Sequence, residues 1–308
     1  MAGLLRTVYE LFPAHAREFL KRSLKAEGHS SSWLDRIKAH DHARGKKRLD
    51  LICESIAVNL AAAGITSLRG ASCLEFGAGY VPSEALAFHL LGAERCIATD
   101  YNAIANLAQI ADAARSADRN RVLSALAPFA DGADIEQRLD AILRVEADEA
   151  RAMMVRLIGY AAPFDMSAAA LEPGFDFIHS ISVFEHLPPL LAERILTNLR
   201  VSLRPNGRMI HEIDLRDHLD LEGAPFAFLS RADPYDAGVD FDVRGNRIRK
   251  PRWMEIFTSL PDTSSHLIYQ RNLPAEALPK DLIEDLKNLP PNDLLASWIG
   301  VFSLAAAT

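Results

Sequence analysis

Cysteine is scarce in this 308-residue chain. Cys53, Cys73 and Cys96 are the only three, and no C-x-x-C spacing joins them. That excludes a disulfide framework and a thiolate metal site, and it reads as small buried hydrophobes in a reducing compartment. No apolar run is long enough to span a bilayer, and no secretory leader pattern is visible. Cationic excess is missing too. The 34 Lys and Arg are outnumbered by 41 Asp and Glu, for a formal net charge of −7. Holding phosphates takes a basic footprint, so a nucleic-acid partner is not expected. One local strip, Arg244, Arg247, Arg249, Lys250 and Arg252, reads as a solvated charged loop. With 49% hydrophobic residues, the chain can still build one sizeable core and carry a substrate-binding addition. The expectation from composition is a cytoplasmic protein, with room for a homodimer and without membrane contact.

What is present is a glycine turn between two apolar runs. Residues 73–79 read Cys-Leu-Glu-Phe-Gly-Ala-Gly, with Glu75 two residues before Gly77 and four before Gly79. A helical stretch, Ser83 to Leu91, and a stop at Gly92 come next. A second apolar run, Arg95 to Thr99, ends on Asp100. Strand, glycine turn, helix, strand and acid form the unit that holds an adenosine nucleoside in α/β proteins. The glycines admit a ligand where a Cβ would collide, and Asp100 can accept from two ribose hydroxyls. A dinucleotide fits poorly. The third glycine position of G-x-G-x-x-G is Pro82, and Glu75 places negative charge where a pyrophosphate would lie.

On these residues the chain resembles the class I S-adenosylmethionine-dependent methyltransferases. Downstream motifs follow in the same order. Tyr160-Ala-Ala-Pro-Phe-Asp165 precedes the apolar run Phe175 to Ser182; then come Glu185-His186-Leu187, a helix from Pro189, Arg204-Pro-Asn-Gly-Arg208, and a strand from Met209 to Leu215. The resemblance covers residues 50–215. It implies a Rossmann-like fold, α/β with a mostly parallel seven-stranded sheet and helices on both faces, and S-adenosylmethionine as cofactor. It also implies that Glu75, Gly77 and Gly79 line the methionine end, that Asp100 meets the ribose, that Tyr101 and Asn102 after it belong to the cofactor site, and that Asp165 meets the adenine with Phe164 against the ring. Asp165 also reads as a helix N-cap before Ser167.

The organisation follows from the same pass. Residues 1–48 form a helical cap, with amphipathic segments around Leu4–Phe12 and Ala14–Lys25. A methyltransferase domain occupies 49–308. It carries an inserted helical pair over about 111–156 and a lid over about 216–252, because long connections in compact domains serve sites. Strands are expected at Leu157–Ala161, His266–Arg271 and Trp298–Ala305.

Chemistry belongs at the carboxyl ends of the strands. An oxygen or nitrogen acceptor must lose its proton, and a histidine suits that task. His218 and His186 are the candidate bases, with Asp214 or Asp217 as the orienting carboxylate. A metal would draw on His211, Asp214, Asp217 and His218; the reading carries none. The acceptor is expected to be an oxygen on a sugar or natural-product intermediate. A small amine is the alternative, and a nicotinamide oxidoreductase or a non-catalytic cofactor-binding subunit are the rivals from other classes.

Overall fold

The structure, a computed structural model, describes residues 45, 48–106, 108–146, 149–230 and 239–307. The helical cap over 1–48 therefore lies almost wholly outside the described residues, as does part of the lid.

Seven strands form one sheet: β1 (Ser72–Phe76), β2 (Arg95–Thr99), β3 (Gly159–Ala161), β4 (Phe175–Ile181), β5 (Leu203–Asp214), β6 (Thr263–Asn272) and β7 (Ala296–Ala305). Their order is β3-β2-β1-β4-β5-β7-β6. The first five run parallel, and β7 enters antiparallel between β5 and β6. Every residue of β1 is buried, as the continuous apolar runs require of a parallel sheet covered on both faces. The order reverses at β1, with β2 on one side and β4 on the other, so the glycine turn after β1 sits where open α/β sheets bind ligands. This is the Rossmann-like methyltransferase fold.

Helices cover both faces. One core gathers α1 (Leu49–Ala62) and α2 (Ser83–Leu90) with the inserted helices; Leu49, Ile56, Phe88 and Phe177 are fully or almost fully buried there. The other holds α7 (Pro189–Ser202) and α9 (Lys250–Thr258), with Phe184, Trp253 and Phe257 at its centre. No helix among the described residues is long and apolar enough to cross a membrane.

Three sequence expectations are corrected. The inserted pair is four short helices: α3 (Ala108–Arg115), α4 (Arg119–Leu126), α5 (Gly132–Leu143) and α6 (Ala150–Leu157). Asp118 and Asp131 cut them apart, each accepting from the backbone N–H groups two and three residues on. Next, Arg204-Pro-Asn-Gly-Arg208 is drawn into the start of β5 as an irregularity, with Asn206 at φ 60. Last, part of the basic strip is internal: Arg244 and Arg249 are buried, while Arg252 stays exposed. Arg244 pairs with Asp217 in the buried interior, Lys250 pairs with Asp293, and Arg252 meets Glu193 and Glu255. Arg249 is buried and donates to the carbonyls of Leu215, Leu294 and Ala296. These cations tie the lid to the domain.

In the described part of the lid, Phe226, Phe228 and Leu229 are buried against Leu286 and Leu294 from the segment between β6 and β7. The short helix α8 (Val239–Arg244) follows and brings the chain back over the end of β4.

Candidate active site

A cleft of about 750 Å³ opens at the carboxyl ends of β1, β4 and β5. Its walls include Gly77, Gly79 and Tyr80 from the glycine turn, Ser182 and His186 after β4, and Asp214, Arg216 and His218 at the end of β5. α1 supplies Leu51, Ser55 and Val58, and the opposite edge supplies Arg271 and Trp298.

Both glycines adopt left-handed backbone, at φ 78 for Gly77 and φ 61 for Gly79. They do so for different reasons. A Cβ on Gly77 would stand 2.3 Å from Cγ2 of Val183, so the turn needs glycine to pack on the segment after β4. A Cβ on Gly79 would meet no protein atom within 4 Å, so the space beside it is a cradle. Asp100 is built into that cradle. Its carboxylate accepts from the N–H of Gly79 at 2.8 Å and from that of Asn102 at 2.9 Å. Tyr160 braces the same loop by donating to the Asn102 carbonyl and accepting from the Ala105 N–H.

The loop after β3 joins it. Phe164 N–H donates to the Asp100 carbonyl at 2.9 Å. The Asp165 carboxylate accepts from the backbone N–H and hydroxyl of Ser167, which hold it below the usual carboxylate range, so it caps the following turn. Tyr101 is exposed. Glu75 is buried and accepts from the N–H of Ala85 at 2.9 Å, which ties β1 to the first turn of α2. Asp100, Tyr101, Asn102, Phe164 and Asp165 thus share one loop cluster outside the cleft wall, while Gly77 and Gly79 line the cleft itself.

At the other end of the cleft, His186 and His218 meet edge to face with ring centroids 4.9 Å apart. His186 Nδ1 lies 2.8 Å from the Phe241 carbonyl. A carbonyl only accepts, so Nδ1 carries the hydrogen and Nε2 keeps the lone pair. His218 Nε2 is 3.5 Å from Asp214 Oδ2 and 3.9 Å from Glu185 Oε1. Burial pushes the Asp214 carboxyl up, but hydrogen bonds from His218 and Arg216 outweigh it and set it at about 2. Arg216 grips that carboxylate with two hydrogen bonds, at 2.9 and 2.7 Å. Glu185 is fully buried beside His218. Burial, with the Asp214 charge beside it, pushes its carboxyl well above the ordinary range.

The metal set considered from sequence is taken apart. His211 is buried in the core against Phe184 and Phe257, with Nδ1 on the Ser180 hydroxyl. Asp217 is committed to Arg244. A different set stands together: one ligand-type atom each from Glu185, His186 and His218, all within 4.8 Å of one another.

Sequence reading missed the polar floor of the cleft. Glu212 on β5 accepts from Ser55 at 2.5 Å, Asn59 at 2.6 Å, Tyr269 at 2.6 Å and Trp298 at 2.9 Å. Asn59 also reaches His179 Nε2, whose Nδ1 lies 2.8 Å from Glu84. The alternation along β5 was the available signal, since Glu212 and Asp214 share one face and His211 takes the other.

A family model described as a methyltransferase domain matches residues 45–254. No curated protein matches the sequence. Among solved structures, the chain is similar to the YcgJ protein of Bacillus subtilis, at 13% identity over 82% of this chain and 100% of that one, with a TM-score of 0.45. It is also similar to magnesium protoporphyrin IX methyltransferase from Synechocystis, with bound SAH, at 13% identity over 93% and 94% of the two chains and a TM-score of 0.43. An S-adenosylmethionine-dependent methyltransferase from Mesorhizobium loti aligns at 12% identity over 83% and 99%, with a TM-score of 0.43.

Proposed function

This chain belongs to the methyltransferase domain family and is a class I S-adenosylmethionine-dependent methyltransferase, and on that premise we propose that it methylates an oxygen of a small molecule held in the cleft, with a hydroxylated sugar or natural-product intermediate as the acceptor class. The carrying observation is the group His186, His218 and Asp214 on the cleft wall that also holds Gly77 and Gly79. A hydroxyl must be deprotonated to attack, and that group offers imidazole nitrogen and an ionised carboxylate. The cleft volume suits a small molecule.

The residues fit the cofactor. Gly79 leaves open space where any side chain would stand, and Asp100 holds two backbone N–H groups beside it. Gly77, Gly79 and Glu75 would take the methionine end, and Asp100, Tyr101, Asn102, Phe164 and Asp165 the nucleoside. When bound, S-adenosylmethionine supplies an electrophilic methyl group on a sulfonium. The chain's own work is then positioning. The glycine turn fixes the donor side, Trp298 and the α1 side chains enclose the acceptor, and the His186, His218 and Asp214 group receives the acceptor's proton. The cytoplasm is the compartment this reading expects, with no nucleic acid or membrane as partner.

The test is transfer of an isotopically labelled methyl group from S-adenosylmethionine to panels of small alcohols, phenols and amines. Product labelled on oxygen is expected. Label found only on nitrogen, or only on protein or RNA, would overturn the reading.

A further inference from the structure

Resting on the oxygen-methylation reading, we propose that Arg271 recognises an anionic group of the acceptor, so that the molecule methylated in the cleft carries a carboxylate or phosphate as well as a hydroxyl. Strand register puts the residue in place. Asp214 on β5 pairs with Trp298 on β7, and Trp298 pairs with Arg271 on β6. Residues directly opposite in antiparallel strands project to the same face, so one row across the sheet carries carboxylate, indole and guanidinium. Two strand spacings, about 10 Å, separate the ends of that row. All three residues line the cleft. A hydroxyl held against Asp214 and His218 therefore leaves the rest of the acceptor lying over Trp298 toward Arg271.

Two guanidiniums line the cleft, and they differ. Arg216 is spent on Asp214, in a grip of two hydrogen bonds. The Arg271 guanidinium has no ion pair and no hydrogen bond among the described residues; its neighbour is the Tyr269 ring, with 5.7 Å from the guanidinium carbon to the ring centroid. Its supports are nevertheless fixed. The Tyr269 hydroxyl donates to Glu212 at 2.6 Å, across a position that must be glycine: a Cβ on Gly300 would stand 2.4 Å from Tyr269 Cε1. The Arg271 carbonyl accepts from the Ser297 hydroxyl at 3.0 Å, which pins the strand end. Trp298 is held by its Nε1, which donates to Glu212 at 2.9 Å. α1 presents Leu51 and Val58 to the same cleft, and both are exposed. The walls are thus apolar and aromatic where the body of an acceptor lies, with an uncommitted cation at the end. A guanidinium offers a fork that matches carboxylate and phosphate oxygens, and an acceptor that displaces water beside it strengthens the pair.

The test is calorimetry on the full chain saturated with S-adenosylhomocysteine. The probes are hydroxybenzoates, hydroxyphenylacetates and hydroxyphenylpropanoates, their primary amides, and the phosphate monoesters of the matching hydroxyphenyl alcohols. At least one acid or phosphate should bind about 10-fold or more tighter than its amide, and the better of the two identifies the anion. Arg271→Gln should abolish that preference while S-adenosylhomocysteine affinity stays unchanged, which shows that the variant is folded. Arg271→Lys should keep only part of the preference, because a point charge replaces a fork. If no anion of the panel binds better than its amide, or if the preference survives Arg271→Gln, the proposal is overturned. Methyl transfer to the carboxylate itself would also overturn it, since the acid would then lie at the donor end. Anion binding through Arg271 without methylation of the hydroxyl would instead count against oxygen methylation and leave the Arg271 site standing.

Discussion

Asn59 on α1 donates to Glu212 on β5 at 2.6 Å, so a helix that forms one wall of the cleft is bolted through the sheet to the strand that carries Asp214. Glu212 accepts three further hydrogen bonds, from Ser55, Tyr269 and Trp298. A buried carboxylate with four donors is satisfied and rigid. The cleft therefore has a fixed floor.

Glu212→Gln tests that floor. The amide presents an NH₂ where two donors already point, so one or two donors lose their acceptor. Each costs about 1–3 kcal/mol. Urea denaturation should show the midpoint falling with an unchanged slope, and an unaltered midpoint would mean the network contributes nothing.

The two glycines should separate in their responses. Gly77→Ala drives a Cβ to 2.3 Å from Val183 Cγ2, on top of a left-handed backbone, so the fold itself should weaken. Gly79→Ala meets no protein atom and should cost only about 1–2 kcal/mol for its positive φ. S-adenosylhomocysteine binding should nevertheless be lost in Gly79→Ala. Thermal melts and calorimetry on both variants check this; retained binding in Gly79→Ala would move the cofactor away from the turn.

Asp100→Ala should weaken S-adenosylhomocysteine by about 3–5 kcal/mol, because two charge-assisted hydrogen bonds go. Part of that loss has a second origin. The carboxylate also orders Gly79 and Asn102, so the loop loosens before any ligand arrives. Asp100→Asn keeps an acceptor and should fall between the two by calorimetry.

His211 gives the chain a pH dependence of stability. Burial lowers its pKa from 6.5 to about 3. Between those values the unfolded chain binds a proton that the folded chain refuses. Stability should therefore fall as pH drops from about 6.5 toward 3, by up to about 1.4 kcal/mol per unit. His211→Phe keeps a ring against Phe184 and Phe257 and removes the titration. Urea midpoints at pH 7 and 5 should differ less in the variant than in the natural chain.

The parts of the fold that the sequence made legible are those written in local pattern. Cys73 to Gly79 and Arg95 to Asp100 announce strand, turn and strand because apolar period and glycine act within a few residues. Asp118 was missed as a helix boundary because an aspartate inside a helix-forming stretch acts as a cap only where the chain bends there. Contacts between distant segments were not legible at all. Nothing in Arg244 or Arg249 says that one meets Asp217 and the other three carbonyls, so both looked solvated. The same holds at the site. His186 and His218 stood out as residue types, but that Glu185 turns inward beside them is a matter of tertiary packing.

Asp214 is the residue on which the acceptor chemistry converges. It touches His218 on one side and is gripped by Arg216 on the other, and it stays ionised down to about pH 2. Asp214→Asn keeps the shape and removes the charge. His218 then loses the anion that orients it and that balances the charge it gains with the acceptor's proton. Turnover should drop about 10²–10⁴-fold, the usual scale for acid–base assistance. S-adenosylhomocysteine affinity should stay within about 3-fold, a difference under 1 kcal/mol, because the residue lies at the acceptor end of the cleft. The Arg216 guanidinium, 5.8 Å over the Trp298 ring, keeps that contact in the variant, so a collapse of the wall is not the expected cause. Steady-state formation of S-adenosylhomocysteine with a hydroxylated acceptor gives the readout. If Asp214→Asn and His218→Ala both turn over at the natural rate, the proton leaves by another route, and the acceptor does not sit against these side chains.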